Sequence, residues 1–154
     1  MITVFWESKA LLLEHYEGRG STMNSARHSK MQCDKLKPAI RSKRRGLLPE
    51  GVVLLHDNAH SHTPAHTIET LKRLNFEVLK HHPYSPDLGP SDCHLFGPLQ
   101  QALRGRRFTT YQQLKAAVHL CLVCQPKTLY SEGTKKTGQR WTKCIEKQGD
   151  YVEN

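Results

Sequence analysis

A chain of 154 residues is long enough for about one domain with its own core, and its lean 37% hydrophobic fraction fits a small globular unit or a piece of one that leans on something absent. Its formal net charge of +9 (23 Lys and Arg against 14 Asp and Glu) favours a polyanionic partner, nucleic acid first. The apolar runs are too short for a membrane-spanning helix, and an odd five cysteines with no secretory signal before them point to a reduced intracellular compartment.

In chain order, Ile2–Trp6 is β-branched and aromatic, and Ala10–Tyr16 is a second strand, joined through Glu7-Ser8-Lys9 as a hairpin over residues 1–17. Ser21 to Asn24 offer N-caps for a helical, basic segment over 21–45, carrying Met31, Leu36 and Ile40. Pro38 lacks an N–H and clashes with the preceding turn, so it should kink or break that helix.

Residues 51–80 read as β-α-β. Gly51–His56 is apolar without alternation, the pattern of a strand buried on both faces. Thr63-Pro64 starts a helix whose stripe is Ala65, Ile68, Leu71 and Leu74, and Phe76–Leu79 is the following strand. Pro83 to Pro90 form a proline-punctuated loop leading into a helical region over 91–147. Its first helix holds Leu95, Phe96, Leu99 and Leu103, is kinked at Gly97-Pro98, and ends at Gly105. A second starts at Thr109 or Thr110 and runs through Leu114, Val118 and Leu122. Leu129–Ile145 is a weaker helical pattern, interrupted by Gly133 and Gly138.

The chemistry concentrates on two aspartates with 34 residues between them, positions 58 to 91. Asp57, in Leu55-His56-Asp57-Asn58-Ala59, falls just past a strand, where α/β sheets collect ligands. Asp92, in Pro90-Ser91-Asp92-Cys93, opens a helix whose N-terminus favours an anionic group. Phosphodiester cleavage can use two divalent ions about 3.5–4 Å apart held by carboxylates on rigid elements. Magnesium needs only one or two of them. From the residues alone, an N-cap at Asp92 and a turn at Asp57-Asn58 explain the same pattern, and Asp87 is a turn residue on either reading. His56, His60, His62 and His66 lack a completing ligand, so surface histidines fit better than zinc. Cys121 and Cys124 read as packing residues of a helix.

The positive charge falls in three blocks: Lys35, Lys37, Arg41, Lys43, Arg44 and Arg45; Arg104, Arg106 and Arg107; and Lys135, Lys136, Arg140, Lys143 and Lys147. Each alone could be a solvated face, and together they favour nucleic acid.

These residues resemble the mariner-type transposases of the D-D-D catalytic class along essentially the whole chain. The resemblance is carried by Thr3-Val-Phe-Trp6, Lys43-Arg-Arg-Gly46, Val52-Val-Leu-Leu-His-Asp57-Asn-Ala-His-Ser-His62 and Pro83-Tyr-Ser-Pro-Asp-Leu-Gly-Pro-Ser-Asp92-Cys-His-Leu-Phe96. Arg106-Arg-Phe108 and Arg140-Trp-Thr-Lys-Cys144 extend it. It implies an α/β, ribonuclease-H-like fold, with Asp57 and Asp92 as second and third catalytic aspartates binding Mg²⁺ or Mn²⁺ and His56 and Asn58 as neighbours that orient them. It further implies DNA contacts from Lys43, Arg44, Arg45, Arg104, Arg106 and Arg107, transposon-end and target DNA as partners, a homodimer, and a nuclear location.

Met1 aligns with the family's second strand. The first central strand with its aspartate, and the helix-turn-helix modules ahead of it, have no counterpart in these residues, so the fold is expected to be incomplete. Cys93 stands where tyrosine is common, and Thr134, Thr137 and Gly138 where the last helix is usually apolar. The expected ancestral function is metal-dependent DNA cleavage and strand transfer, inactive in this fragment. The alternatives are a non-catalytic nucleic-acid-binding module and a non-functional transposon relic. With a central strand missing, the hairpin and the β-α-β unit must pair directly or leave edges whose orphaned polar groups cost about 1–3 kcal/mol each.

Overall fold

The computed structural model describes residues 1–56, 65–80, 82 and 84–152, with the backbone alone for His56 and Lys80. The chain forms two compact units: Met1–Phe5 with Leu12–Tyr84, and Trp6–Leu11 with Ser85–Asn154.

β1 (Ile2–Trp6) and β2 (Leu11–Tyr16) make the expected hairpin, whose residues up to Phe5 and from Leu12 on belong to the first unit and whose Trp6 and Leu11 are counted with the second. The Glu17 N–H donates to Met1 O at 2.9 Å, fastening its open end. Asn24 caps α1 (Ser25–Met31), its side chain accepting from the Arg27 N–H at 2.9 Å. The helical path then continues instead of breaking: a π-helical turn, Gln32–Leu36, leads directly into α2 (Lys37–Lys43). Here the Lys37 N–H reaches back five residues to Gln32 O. Widening the turn just ahead of Pro38 gives its ring room, and the N–H that proline lacks falls where the ladder is already changing register. Of the expected kink or break, the break does not occur: Pro38 is accommodated, and the regular α ladder is instead interrupted by the π turn just ahead of it.

A short helix not foreseen from the sequence, α3 (Leu47–Glu50), ends at Gly51, whose φ of +93° is a conformation glycine adopts without strain. Next come β3 (Val52–His56), α4 (Ala65–Arg73) and β4 (Phe76–Lys80), with β3 and β4 parallel in the register Val52↔Phe76 to His56↔Lys80. The expected helix start at Thr63-Pro64 lies outside the described residues.

Two expectations need correction here. β3 is not buried on both faces: Val53 is 60% exposed, while Val52 and Leu54 turn into the core. Among the described residues β3 pairs only with β4, which leaves its other edge without a strand there, and the face that carries Val53 is largely uncovered. The buried face of α4 is Thr67, Thr70 and Leu71, whereas Ile68 is 41% exposed. The helix is rotated because α1 offers it a polar partner surface. Ser29 Oγ lies 3.4 Å from Thr67 Oγ1, and Thr70 turns its hydroxyl onto its own helix at His66 O. Two hydroxyls that satisfy each other can be buried as readily as an apolar stripe.

The core of this unit is Leu12, Leu36, Ile40, Val52, Leu71 and Phe76, flanked by Phe5, Leu13, Leu47, Leu48, Leu54, Leu74 and Val78. Each large side chain there contributes about 1.5–3 kcal/mol of hydrophobic burial. The hairpin and the parallel pair remain two separate two-stranded sheets among the described residues and do not pair directly.

The second unit is helical. A π-helical turn, Ser91–Phe96, runs into α5 (Gly97–Leu103), followed by α6 (Tyr111–Val123) and α7 (Lys127–Glu146). Pro98 sits, as Pro38 does, one residue inside the α-helix that follows a π turn. Thr110 caps α6, accepting from the Gln113 N–H at 3.2 Å. Cys124, expected to pack inside, is exposed at the end of α6, and Cys121 is half-buried. The helix stops at Val123, which leaves Cys124 beyond its packed face.

The largest correction concerns α7, which is continuous for 20 residues through both glycines. Thr134 and Thr137 bond back to the carbonyls of Tyr130 and Gly133, so their hydroxyls make no demand on the packing. Gly133 is a packing residue: a Cβ there would meet the Trp6 ring at 3.0 Å and His94 Cβ at 3.3 Å. Among the described residues no helix is long and apolar enough to cross a membrane.

Candidate nucleic-acid-processing site

Of the two candidate catalytic acids, Asp92 can be placed. It is exposed in the first turn of the π-helical segment that opens α5's helical run, after Pro90 with φ −61° and ψ −33°. That is the helix-start position expected for it. Asp57 and Asn58 lie outside the described residues, as does the side chain of His56. The backbone of β3 is described through His56, the residue immediately before Asp57. Among the described residues no group of three or more His, Cys, Asp or Glu side chains could hold a metal ion. Asp92's carboxylate is the hard oxygen donor that Mg²⁺ and Mn²⁺ prefer, but by itself it is no metal site.

The loop before Asp92 is built to hold its shape. Leu88 N–H bonds to Ser85 O at 3.1 Å and Gly89 N–H to Pro86 O at 3.2 Å, two tight turns in succession. Asp87, read from the sequence as a turn residue, is also a buried clasp, 7% exposed. Its Oδ2 accepts the Val152 N–H at 3.0 Å, and its carbonyl accepts from Arg140 Nε and from the Cys93 thiol. Arg140 Nη2 donates to Val152 O at 2.7 Å, and Trp141 Nε1 donates to Leu88 O at 3.1 Å. The loop, α7 and the C-terminal tail are thus cross-tied around one carboxylate. Only the Ser-Pro-Asp motif hinted at this, because the partners lie 53 and 65 residues away.

Burial first, then the nearby Asp92 and Asp87 charges, push the Cys93 thiol up, against the pull of Arg140; it remains a protonated donor. His94, two residues past Asp92, is held below the usual histidine range by burial and then by Lys136 and Arg140. Its Nε2 is buried without a hydrogen-bond partner among the described residues. A neutral ring packed on Gly133 is therefore its state near neutral pH.

The basic candidates divide by use. Arg45, Arg104, Arg106 and Arg107 are exposed, Arg106 lying 5.4 Å over the Phe108 ring. Lys43 Nζ donates to the Leu12 carbonyl at 2.9 Å, which ties α2 to the hairpin, and Arg44 is half-buried. Arg140 of the third block belongs to the Asp87 clasp and Lys136 lies 3.8 Å from Glu132, so that block is partly committed to structure.

No protein-family model matches the chain. It is similar to the mariner Mos1 transposase of Drosophila mauritiana, 38% identical over 159 residues that include 99% of this chain and 45% of the relative. It is also similar to the histone-lysine N-methyltransferase SETMAR of Homo sapiens, 32% identical over 99% of this chain and 22% of the relative. The chain thus spans less than half the length of either. Among solved structures, the Mos1 transposase catalytic domain with raltegravir and Mn superposes with a TM-score of 0.93 at 36% identity, covering 99% of this chain and 76% of that one. The Mos1 paired-end complex with the left transposon end gives 0.90 at 38% identity, covering 99% and 44%. Likeness of that degree along nearly the whole chain establishes the ribonuclease-H-like α/β fold class.

Proposed function

The chain belongs to the mariner-type transposase family, and from that premise we propose that it derives its role from metal-dependent cutting and joining of DNA. In that reaction water attacks a phosphodiester at the element's end, the bond to the 3′ oxygen breaks, and the freed 3′-hydroxyl attacks a phosphodiester of target DNA, whose own 3′ oxygen leaves as a hydroxyl. Asp57 and Asp92 are the residues that would hold Mg²⁺ or Mn²⁺, whose chemistry is stabilisation of charge on the attacking and leaving oxygens. His56 and Asn58 flank the first of these acids. Lys43, Arg44, Arg45, Arg104, Arg106 and Arg107 would meet phosphates, a second copy of the chain would complete the assembly, and the nucleus would be the place of action. The observation that carries this reading is similarity over 99% of the chain to the Mos1 transposase, with both aspartate motifs inside it.

The family's reaction takes three carboxylates, and Asp57 and Asp92 supply two. The expected outcome for the 154-residue polypeptide by itself is therefore DNA binding without cleavage. Incubation with Mn²⁺ and supercoiled plasmid tests this directly. Nicking that disappears in Asp57→Ala would overturn the expected inactivity while supporting the assigned acids. A second reading, a nucleic-acid-binding module without catalysis, is favoured by the exposed arginines at 45, 104, 106 and 107. It requires salt-sensitive, sequence-tolerant binding that survives Asp92→Asn, and it fails if low-salt binding is absent.

A further inference from the structure

Within the first unit, α2, α3 and the end of α4 enclose an open pocket of about 400 Å³. Lys37 and Arg41 stand one turn apart on α2, Arg45 follows that helix, Arg73 ends α4, and Leu48 and Pro49 of α3 complete the wall. No carboxylate lines the pocket, and among the described residues no ion pair joins these four cations to an acid. Like charges one turn apart on a helix are mildly destabilising, so such a collection calls for an explanation.

The plain explanation is the helix dipole, which favours cations in a last turn. It accounts for Arg41 and Arg73, in the last turns of α2 and α4. It does not account for Lys37, which lies inside the continuous helical run from Ser25 to Lys43, beyond the reach of that effect. Nor do the two helix ends cancel the charge. Two C-termini of about half a negative charge each leave a net charge of roughly +3. Three guanidinium groups supply planar donor pairs matched to phosphate oxygens.

We propose that this pocket seats a phosphodiester group of a nucleic-acid backbone, with Arg73 joining α2's cations at a site that the sequence divides between two distant segments. The inference rests on the reading of DNA as partner and adds a defined contact to it.

Fluorescence anisotropy of a labelled duplex of about 20 base pairs, titrated with the 154-residue protein between roughly 50 and 200 mM NaCl, gives the slope of log K against log salt. Arg41→Gln combined with Arg73→Gln is expected to make that slope shallower by about two, with binding weakened several-fold near 100 mM salt. Arg41→Lys with Arg73→Lys, which keeps the charge, should retain the slope. Lys9→Gln with Lys30→Gln, two exposed cations elsewhere, should alter it less than the pocket pair does. Comparable melting temperatures across the variants show that each is folded. An unchanged slope in the glutamine pair, or an equal loss in the control pair, overturns the pocket while leaving DNA as partner. Should the unaltered protein fail to bind duplex, the DNA reading falls. The pocket is then judged with tripolyphosphate: amide shifts at Arg73 and Asn75 that vanish in the glutamine pair sustain it as a phosphate site, and their absence removes it.

Discussion

Replacing Asp87 by alanine should destabilise the second unit more than any other single substitution of a loop acid. The carboxylate is 7% exposed and its Oδ2 accepts the backbone N–H of Val152 at 3.0 Å. A hydrogen bond to a charged acceptor contributes about 1.5–3 kcal/mol, and an N–H stranded in a buried place costs about 1–3 kcal/mol. The two figures describe overlapping parts of one loss, so the net effect is about 2–3 kcal/mol. Val152 is itself 1% exposed, so water cannot readily replace the carboxylate without displacing the tail. In a chain of this length each kcal/mol moves the melting temperature by about 2–4 °C, giving an expected drop of roughly 5–10 °C. Asp87→Asn keeps an acceptor oxygen without the charge and should lose roughly half as much. Thermal melts followed by circular dichroism, with both variants beside the parent, measure this. A melting temperature for Asp87→Ala within a degree or so of the parent would refute the clasp.

The glycines of α7 should respond with opposite signs. Gly138→Ala meets nothing within 4 Å and should stabilise by about 0.5–1 kcal/mol, whereas Gly133→Ala drives a Cβ to 3.0 Å from Trp6 and should destabilise by about 1–2 kcal/mol despite the same gain in helix propensity; urea titrations decide between them. Iodoacetamide near pH 8 should alkylate exposed Cys124 well before Cys93, whose thiol is raised by burial and donates to the Pro86 and Asp87 carbonyls, and peptide mapping over time reads the order. Glu17 is held below the ordinary glutamate range by hydrogen bonds from His15 and then Ser21. A depressed carboxyl contributes stability that is present above the unfolded value of about 4.3 and is lost as pH falls through the lower folded value. Glu17→Gln should therefore narrow the difference in melting temperature between neutral and acidic buffer; an unchanged difference would show that the hydrogen bonds do not persist in solution.

What could be read from the sequence was local or motif-bound. β1 and β2 followed from β-branched and aromatic runs, α1 from the Asn24 cap, and β3, α4 and β4 from the order of apolar segments. Asp92 was placed at a helix start, and the structure has it there, because Pro90-Ser91 is a start signal that acts within a few residues. Asp87's role was not legible: a turn residue looks the same whether its carboxylate faces water or a tail 65 residues further on. The buried face of α4 was misjudged because Thr67 and Thr70 count as polar in any periodicity, yet each disposes of its hydroxyl, one opposite Ser29 and one on its own helix.

The prolines and glycines show how a penalty computed for one residue can be absorbed by its neighbours. Pro38 and Pro98 each occupy a helical run that local sterics say should kink or break, and each is preceded by a π-helical turn. A wider turn gives up little, since its carbonyls still find N–H groups one residue further along, and it relieves the clash that would have ended the helix. Gly133 likewise costs about 1 kcal/mol of helix propensity in isolation, but its missing Cβ lets Trp6 and His94 approach α7, and the Trp6 ring then packs against Tyr130 with centroids 5.7 Å apart. The second π turn carries Asp92 in its opening residues. The deformation that accommodates Pro98 therefore also sets the path of the backbone that presents the candidate catalytic acid. Pro98→Ala is then expected to let the helix relax toward regular α geometry, and amide exchange at residues 92–96 should report the change; protection identical to the parent's would mean that the loop clasp, and not the proline, dictates the turn.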